Sequence, residues 1–169
     1  MSLTLSQFNA LVEVHGATLY RVAYRLLGDS HEAEDVVQET FRSAWTGRDR
    51  FEPERNSDRA WLTSILRRRA ADYWRKPRPP VVLTGENEVE PPQMDISPDS
   101  MEYGDAMQHA LDQLSEDLRT ALLLVVVGEL THQEAANELN LPLGTILSRV
   151  SRARTKLREI LGNALAVQE

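Results

Sequence analysis

Residues 131–158 read Thr131-His132-Gln133-Glu134-Ala135-Ala136-Asn137-Glu138-Leu139-Asn140-Leu141-Pro142-Leu143-Gly144-Thr145-Ile146-Leu147-Ser148-Arg149-Val150-Ser151-Arg152-Ala153-Arg154-Thr155-Lys156-Leu157-Arg158. Thr131 and Glu134 have the spacing of a capping box, in which the hydroxyl takes one orphan amide and the carboxylate reaches back to another. The short helix they open carries Ala135, Ala136 and Leu139 on its apolar side. Asn140 tolerates the left-handed conformation of a tight turn, and Leu141-Pro142-Leu143-Gly144 completes that turn. A last helix is expected from near Thr145 to Leu161, before Gly162, with Ile146, Val150, Ala153, Leu157 and Ile160 facing inward. Ser148, Arg149, Arg152 and Lys156 then face outward, flanked by Arg154 and Arg158, with Leu147 on the shoulder. Capped helix, turn and basic helix in this order form a helix-turn-helix layout.

Such a recognition helix offers donors to base edges and phosphates in the major groove. Arg149 and Arg152 share a face, and Thr145 and Ser148 sit near the helix N-terminus, where hydroxyls and amides bind phosphate. A basic stripe by itself more often means a solvated face; the capping box and turn in front of it favour DNA.

Before this motif, Ala106, Met107, Ala110, Leu111 and Leu114 recur at helical spacing and lead to Ser115, a cap. Leu118, Ala121, Leu122 and Val125 follow in an apolar helix ending at Gly128. Leu123-Leu124-Val125-Val126-Val127 alone would also suit a strand; its helical flanks argue for helix.

Residues 77–105 break every periodic pattern and hold six of the eight prolines. They carry 1 basic and 7 acidic side chains, net −6 of the chain's −7. This composition predicts a flexible, self-repelling tether, with Val81-Val82-Leu83 as a short apolar patch that makes at most a transient contact. The flanking pieces are nearly balanced, at 12 basic and 11 acidic side chains in 1–76, and 6 and 8 in 106–169. The acidic pI near 5.2 therefore hides two local basic stripes, 67–76 and 149–158, with five bases each. Local stripes of this kind are what phosphate contacts need.

Residues 1–76 read as three helices. Ser6 is placed to cap the first, and Phe8, Leu11, Val12, Leu19, Val22, Ala23, Leu26 and Leu27 form its apolar face before Gly28. Asp29 or Ser30 caps the second, which buries Ala33, Val36, Val37, Phe41, Ala44 and Trp45 and ends at Gly47. After the polar loop 48–56, the third helix starts near Ser57, buries Trp61, Leu62, Ile65 and Leu66, and must end by Lys76, because Pro77 disfavours a helical residue before it. Arg67, Arg68 and Arg69 interleave there with Trp61, Tyr73, Trp74, Arg75 and Lys76. Aromatics stack on unpaired bases while cations hold the backbone, so this helix suits single-stranded or distorted nucleic acid. Trp61 reads primarily as core.

Other chemistry finds no support. With no Cys in the chain, disulfides, thiolate nucleophiles and cysteine-ligated zinc are excluded, and a reducing compartment fits. His15, His109 and His132 are dispersed, and His31-Glu32-Ala33-Glu34-Asp35 matches no metal motif and reads as an acidic or protein-docking face. No Gly-rich phosphate loop is present. The expectation is a protein without catalytic activity, cofactor or metal. No run of about 18 apolar residues occurs and the N-terminus lacks signal-peptide features, so no membrane insertion and a cytoplasmic location are expected.

Tyr24-Arg25-Leu26-Leu27-Gly28-Asp29 and Ala33-Glu34-Asp35-Val36-Val37-Gln38-Glu39-Thr40-Phe41 resemble region 2 of extracytoplasmic-function (ECF) sigma factors, a branch of the sigma-70 family. Trp61-Leu62-Thr63-Ser64-Ile65 and Asp72-Tyr73 continue the likeness. Leu141–Ile146 with Ser148-Arg149 and Arg152-Ala153-Arg154 is similar to region 4. The resemblance implies an all-α chain of two small helical domains: a three-helix region 2 at 1–76 and a helix-turn-helix region 4 at 106–169, joined by the acidic linker 77–105. It implies a transcription initiation factor that binds core RNA polymerase, reads and melts the −10 element, and binds the −35 element. By the same likeness, Asp35, Gln38 and Glu39 fall in the polymerase-docking segment, and Arg50 to Asn56 in a loop that captures a flipped base. Asn56, Arg59, Trp61, Arg67, Arg68, Arg69, Tyr73, Arg75 and Lys76 fall on the −10 side. Thr145, Ser148, Arg149, Arg152, Arg154 and Lys156 fall on the −35 side. Promoter DNA, core polymerase and an anti-sigma factor are the implied partners. Leu147 stands where the family often has Lys or Arg, and Arg68 where it often has Asn, so promoter preference is expected to differ. A helix-turn-helix regulator that does not dock on polymerase, and a purely protein-binding helical adaptor, are the competing readings.

Overall fold

The computed structural model describes residues 3–75 and 99–166, and every regular element among them is helical. The elements are α1 (Leu5–Leu27), α2 (Ser30–Thr46), a 3₁₀ turn (Arg48–Arg50), α3 (Asp58–Arg75), α4 (Asp99–Asp112), α5 (Glu116–Leu122) running into a π-helical turn (Leu123–Val127), α6 (His132–Leu139) and α7 (Leu143–Ala166). Lys76, most of the acidic linker and the Val81–Leu83 patch lie outside the described residues.

Local chemistry sets most boundaries. α1 is capped by Thr4, two residues before the expected Ser6: Thr4 and Gln7 form a complete capping box. A hydroxyl alone does not distinguish Ser6 from Thr4, but only Thr4 has Gln three residues on, and that reciprocal bond selects it. Gly28 ends α1 at φ 74, where a side chain would be strained. Asp29 caps α2 by accepting from the Glu32 amide at 3.0 Å. The Ser57 hydroxyl accepts from the Ala60 amide and so starts α3.

In the C-terminal half, Ser115 caps α5, Thr131 and Glu134 complete the expected capping box of α6, and Asn140 closes α6 at φ 52. Two expectations for the last helix are corrected. It begins at Leu143, because the Thr145 and Ile146 amides already donate to the Pro142 carbonyl, and it runs through Gly162 to Ala166. Glycine permits a helix end without compelling one, and Gly162 does not adopt the left-handed conformation. α4 begins at Asp99, inside the stretch read as linker.

The apolar run 123–127 is helical, as its flanks suggested, but widened to π geometry. The Gly128 amide bonds back to the Leu123 carbonyl at 2.8 Å, five residues away. A Cβ on Gly128 would stand 2.8 Å from the Leu124 carbonyl oxygen, so the turn requires glycine there. Glu129 follows in the left-handed region at φ 56 and turns the chain toward α6.

Two apolar cores result. In the first, Leu19, Val22 and Ala23 of α1 meet Ala33, Val36 and Ala44 of α2 and Leu62, Leu66 and Ala70 of α3. In the second, Leu111 and Leu114 meet Leu122, Leu123 and Leu124, Ala135 and Ala136 of α6, and Ile146, Val150 and Ala153 of α7. Leu26 and Val127 pack against both cores, so the two helical units touch. No helix among the described residues is long and apolar enough to cross a membrane.

Candidate nucleic-acid interface

α3 is buried on one side through Leu62, Leu66 and Ala70 and exposes Arg68, Arg69, Trp74 and Arg75 on the other. The loop before it is anchored from beneath. Phe51 is buried, with its ring centroid 4.6 Å from that of Trp61. The Arg55 and Asn56 amides both turn back to the Glu52 carbonyl, and this turn leaves Asn56 exposed at the surface. Trp61, half-buried against Phe51, thus serves the core while one part of it faces a cleft.

That cleft holds about 560 Å³. Arg50, Arg55, Asn56, Trp61, Ser64, Arg68 and Arg69 line it from the N-terminal half. Four guanidinium groups, an exposed amide and an indole therefore converge on one concave surface, a chemistry suited to an unstacked base and its phosphates. Arg68 donates to the Ser64 hydroxyl at 3.2 Å, and Arg69 pairs with Asp72 at 3.5 Å, both within α3. Tyr73 packs against the first core, whereas Trp74 is 51% exposed, so Trp74 is the freer stacking surface of the two.

The opposite wall of the cleft was not foreseen. It is made by Glu134, Asn137 and Glu138 of α6. Arg67 donates through Nε to Glu138 Oε1 at 3.0 Å and through a terminal nitrogen to the Glu138 carbonyl at 3.3 Å. Arg59 donates to the Glu129 carbonyl at 2.9 Å and pairs with its carboxylate at 3.6 Å. The Ser57 hydroxyl donates to Glu134. Burial alone would raise the Glu134 carboxyl, but hydrogen bonds from Ser57 and Thr131, with Arg59 nearby, hold it below its ordinary value. His15 of α1 lies in the field of the same junction. Burial pushes its imidazole below the ordinary value; Asp58 and Glu129 oppose this and Arg59 reinforces it. The available signal was the four-residue spacing of Glu134 and Glu138, which puts both on one face of α6.

On α7, Arg152, Arg154 and Lys156 are exposed, and Thr145 and Ser148 are half-buried. Arg149 is also half-buried and reaches Asp117 of α5 at 3.7 Å. Leu143 and Leu147 are exposed beside them, at 40% and 48%, an apolar strip at the start of the basic helix. Asp35, Gln38 and Glu39 are exposed together on α2, opposite its buried Ala33, Val36 and Thr40; Glu39 pairs with Arg42 at 2.7 Å. No group of three His, Asp or Glu side chains among the described residues is arranged to hold a metal ion.

The helical units correspond to two known modules. Residues 11–78 match sigma-70 region 2, and residues 104–157 match sigma-70 region 4. The chain is 31% identical to the ECF RNA polymerase sigma factor SigW of Bacillus subtilis, over 91% of this chain and 88% of SigW. It is 35% identical to the ECF RNA polymerase sigma factor RpoE of Cereibacter sphaeroides, over 76% and 71% of the two chains. Among solved structures, CnrH in complex with the cytosolic domain of CnrY superposes with a TM-score of 0.74 at 27% identity, covering 95% of this chain and 90% of CnrH. RpoE of Bartonella quintana in complex with the anti-sigma factor NepR gives 0.72 at 29%, covering 94% and 98%. A region 2 helical bundle followed by a region 4 helix-turn-helix defines the sigma-70 class of transcription initiation factors. Within that class this chain belongs to the ECF RNA polymerase sigma factors, which direct RNA polymerase to promoters.

Proposed function

We propose that this sigma factor divides promoter recognition between its two helical units, with α3 and the loop before it acting at the −10 element and α7 at the −35 element. The observation that carries this reading is the cleft in which Arg50, Arg55, Asn56, Trp61, Arg68 and Arg69 converge. The loop is exposed yet pinned by Phe51, so it holds its shape while one base leaves the stack and enters. Arg67, Arg68, Arg69, Arg75 and Lys76 then supply cations to the separated strand, and Trp74 or Tyr73 a stacking surface. On α7, Arg152, Arg154 and Lys156 meet duplex from a solvent-facing side, with Arg149, Thr145 and Ser148 at its edge.

Asp35, Gln38 and Glu39 form a polar patch on the far side of α2 from the core, suited to docking on core polymerase. The units at 1–76 and 106–169 fold on their own and are joined by the Pro- and acid-rich stretch between them. The chain acts in the cytoplasm without chemistry of its own and answers to an anti-sigma factor; the complex of Bartonella quintana RpoE with NepR supports that partner class.

The test is transcription by polymerase reconstituted with Asn56→Ala or Arg68→Ala on two templates, one fully duplex and one premelted at the −10 element. Loss on the duplex with partial rescue by the bubble assigns these residues to melting. Equal loss on both assigns them to binding, and no loss on either removes them from the site.

A further inference from the structure

An exposed leucine by itself says little, since much of any protein surface is apolar. Leu143 and Leu147 stand out by position. Both are exposed in the first two turns of α7, four residues apart and so on one face, and neither belongs to either core. From Leu147 the same stripe continues through Ser151, Arg154 and Arg158, at steps of four, three and four residues, all exposed. These side chains, with His132 at the start of α6, line a shallow cavity of about 300 Å³. The stripe is thus apolar at its leading end, neutral in the middle and cationic behind. Among the described residues Arg154 and Arg158 pair with no carboxylate, whereas Arg149 reaches Asp117. We propose that Leu147 is a specificity-determining residue of this sigma factor: it packs on the C5 methyl group of a thymine in the upstream duplex, and so selects a T·A pair at one position of that element.

The leading residues of a recognition helix are the ones that meet base edges. Of the groups that the base pairs display in the major groove, only the thymine methyl is apolar; guanine, adenine and cytosine present N7, O6 or an amino group. Against those edges Leu147 strips water and returns no hydrogen bond, which costs free energy. Against thymine it buries a methyl group, and Leu143 beside it helps to keep water out. Selection therefore combines an attraction to one base with a penalty on the others. The cations fit the same pose. Arg154 lies seven residues beyond Leu147, roughly 10 Å along the helix axis. The major groove is about 12 Å wide, so with Leu147 at a base edge Arg154 and Arg158 stand at the phosphate rim. Unpaired guanidinium groups there hold the backbone and carry no sequence information themselves. A protein partner is the other occupant an apolar strip can take; the unpaired cations along the same stripe favour phosphate-bearing duplex.

The inference rests on the reading of α7 as the helix that enters the −35 element, so the test separates the two. Core polymerase carrying the full chain is given a promoter from which it starts on genomic DNA, with the upstream duplex randomised, and the templates that yield transcript are sequenced. Wild type, Leu147→Ala and Leu147→Arg are compared. Leu147 lies outside both cores, so circular dichroism and thermal melting should be unchanged in the two variants. Wild type is expected to fix a T·A pair at one upstream position. Replacing that thymidine by deoxyuridine removes only the methyl group and should lower transcription at limiting polymerase roughly 4-fold, the worth of one buried methyl group. Leu147→Ala should transcribe the two templates nearly alike, and Leu147→Arg should move the preference at that position toward guanine, whose O6 and N7 suit a guanidinium group. A wild type that fixes upstream bases yet transcribes thymidine and deoxyuridine templates equally overturns the role of Leu147 and leaves the −35 reading standing. So does a Leu147→Ala variant as sensitive to the methyl group as wild type. Unchanged selection in both variants also overturns it and gives the apolar strip to a protein partner. If wild type fixes no upstream base at all, the −35 reading itself falls and this inference with it.

Discussion

The rings of Phe51 and Trp61 lie 4.6 Å apart at a tilt of 32°, and through them the loop ahead of α3 is fastened to the helix it serves. Phe51 is only 6% exposed, although both of its sequence neighbours are polar and solvent-facing. The loop's backbone is therefore held from below while Asn56 stays free above. Removing the ring takes away an anchor and leaves a cavity.

Phe51→Ala is accordingly expected to lower stability by about 3–5 kcal/mol if its surroundings do not collapse. Thermal melting reads the loss. Activity on a duplex promoter should fall further than the melting shift alone explains, since the loop that lines the cleft loses its anchor on Trp61. A melting temperature equal to wild type would contradict the anchoring role.

Gly128→Ala tests the π turn. Its methyl group would sit 2.8 Å from the Leu124 carbonyl oxygen, against backbone that cannot swing away. A destabilisation of roughly 1–3 kcal/mol is expected, as for other forced overpacking. Chemical denaturation that leaves the midpoint unchanged would show that the turn relaxes freely.

Arg152 and Arg149 should separate by role. Arg152 is exposed, whereas Arg149 is half-buried and reaches Asp117 at 3.7 Å. Arg152→Ala should leave melting unchanged. If Arg152 reads a base edge, cognate duplex loses about 1–3 kcal/mol of binding and scrambled duplex loses much less. If it holds a phosphate, both weaken alike. Unchanged binding on both would remove it from the interface.

His15 gives the fold a pH dependence of defined sign. Burial lowers its pKa in the folded chain below the ordinary value of about 6.5. The unfolded chain then binds the proton more readily, so the contribution of His15 is complete above that value and is lost as pH falls through it toward the folded pKa. Glu134, whose pKa is also lowered, loses its contribution only further down, in the carboxylate range. Melting temperature should fall between pH 7.5 and 5.5 in wild type and fall less in His15→Gln. Parallel curves for the two proteins would refute the assignment.

The parts of this molecule that sequence reveals are those settled within a few residues. The Thr131–Glu134 box, the left-handed Asn140 and the Ile146, Val150 and Ala153 stripe all follow from local spacing. Thr4 was also legible, through Gln7, and was missed because a nearby hydroxyl at Ser6 satisfied the simpler rule. The π turn was not legible, since five consecutive apolar residues carry no period. Half of the cleft was open to reading: Asn56, Arg68 and Arg69 are local to α3 and its loop. The other half was not, because Arg67 and Glu138 are 71 residues apart and no local pattern couples them.

In the division of labour proposed above, this chain gives core polymerase its promoter choice through α2, α3 and α7. The direct measurement is mapping of transcript 5′ ends made from bacterial genomic DNA by core polymerase, alone, with the chain, and with its Asp35→Ala/Gln38→Ala/Glu39→Ala variant. Discrete start sites are expected only with the wild-type chain; they should share two spaced upstream elements and vanish with a variant that keeps its helix content. Start sites no more discrete than those of core polymerase alone, or a triple variant as active as wild type, would contradict it.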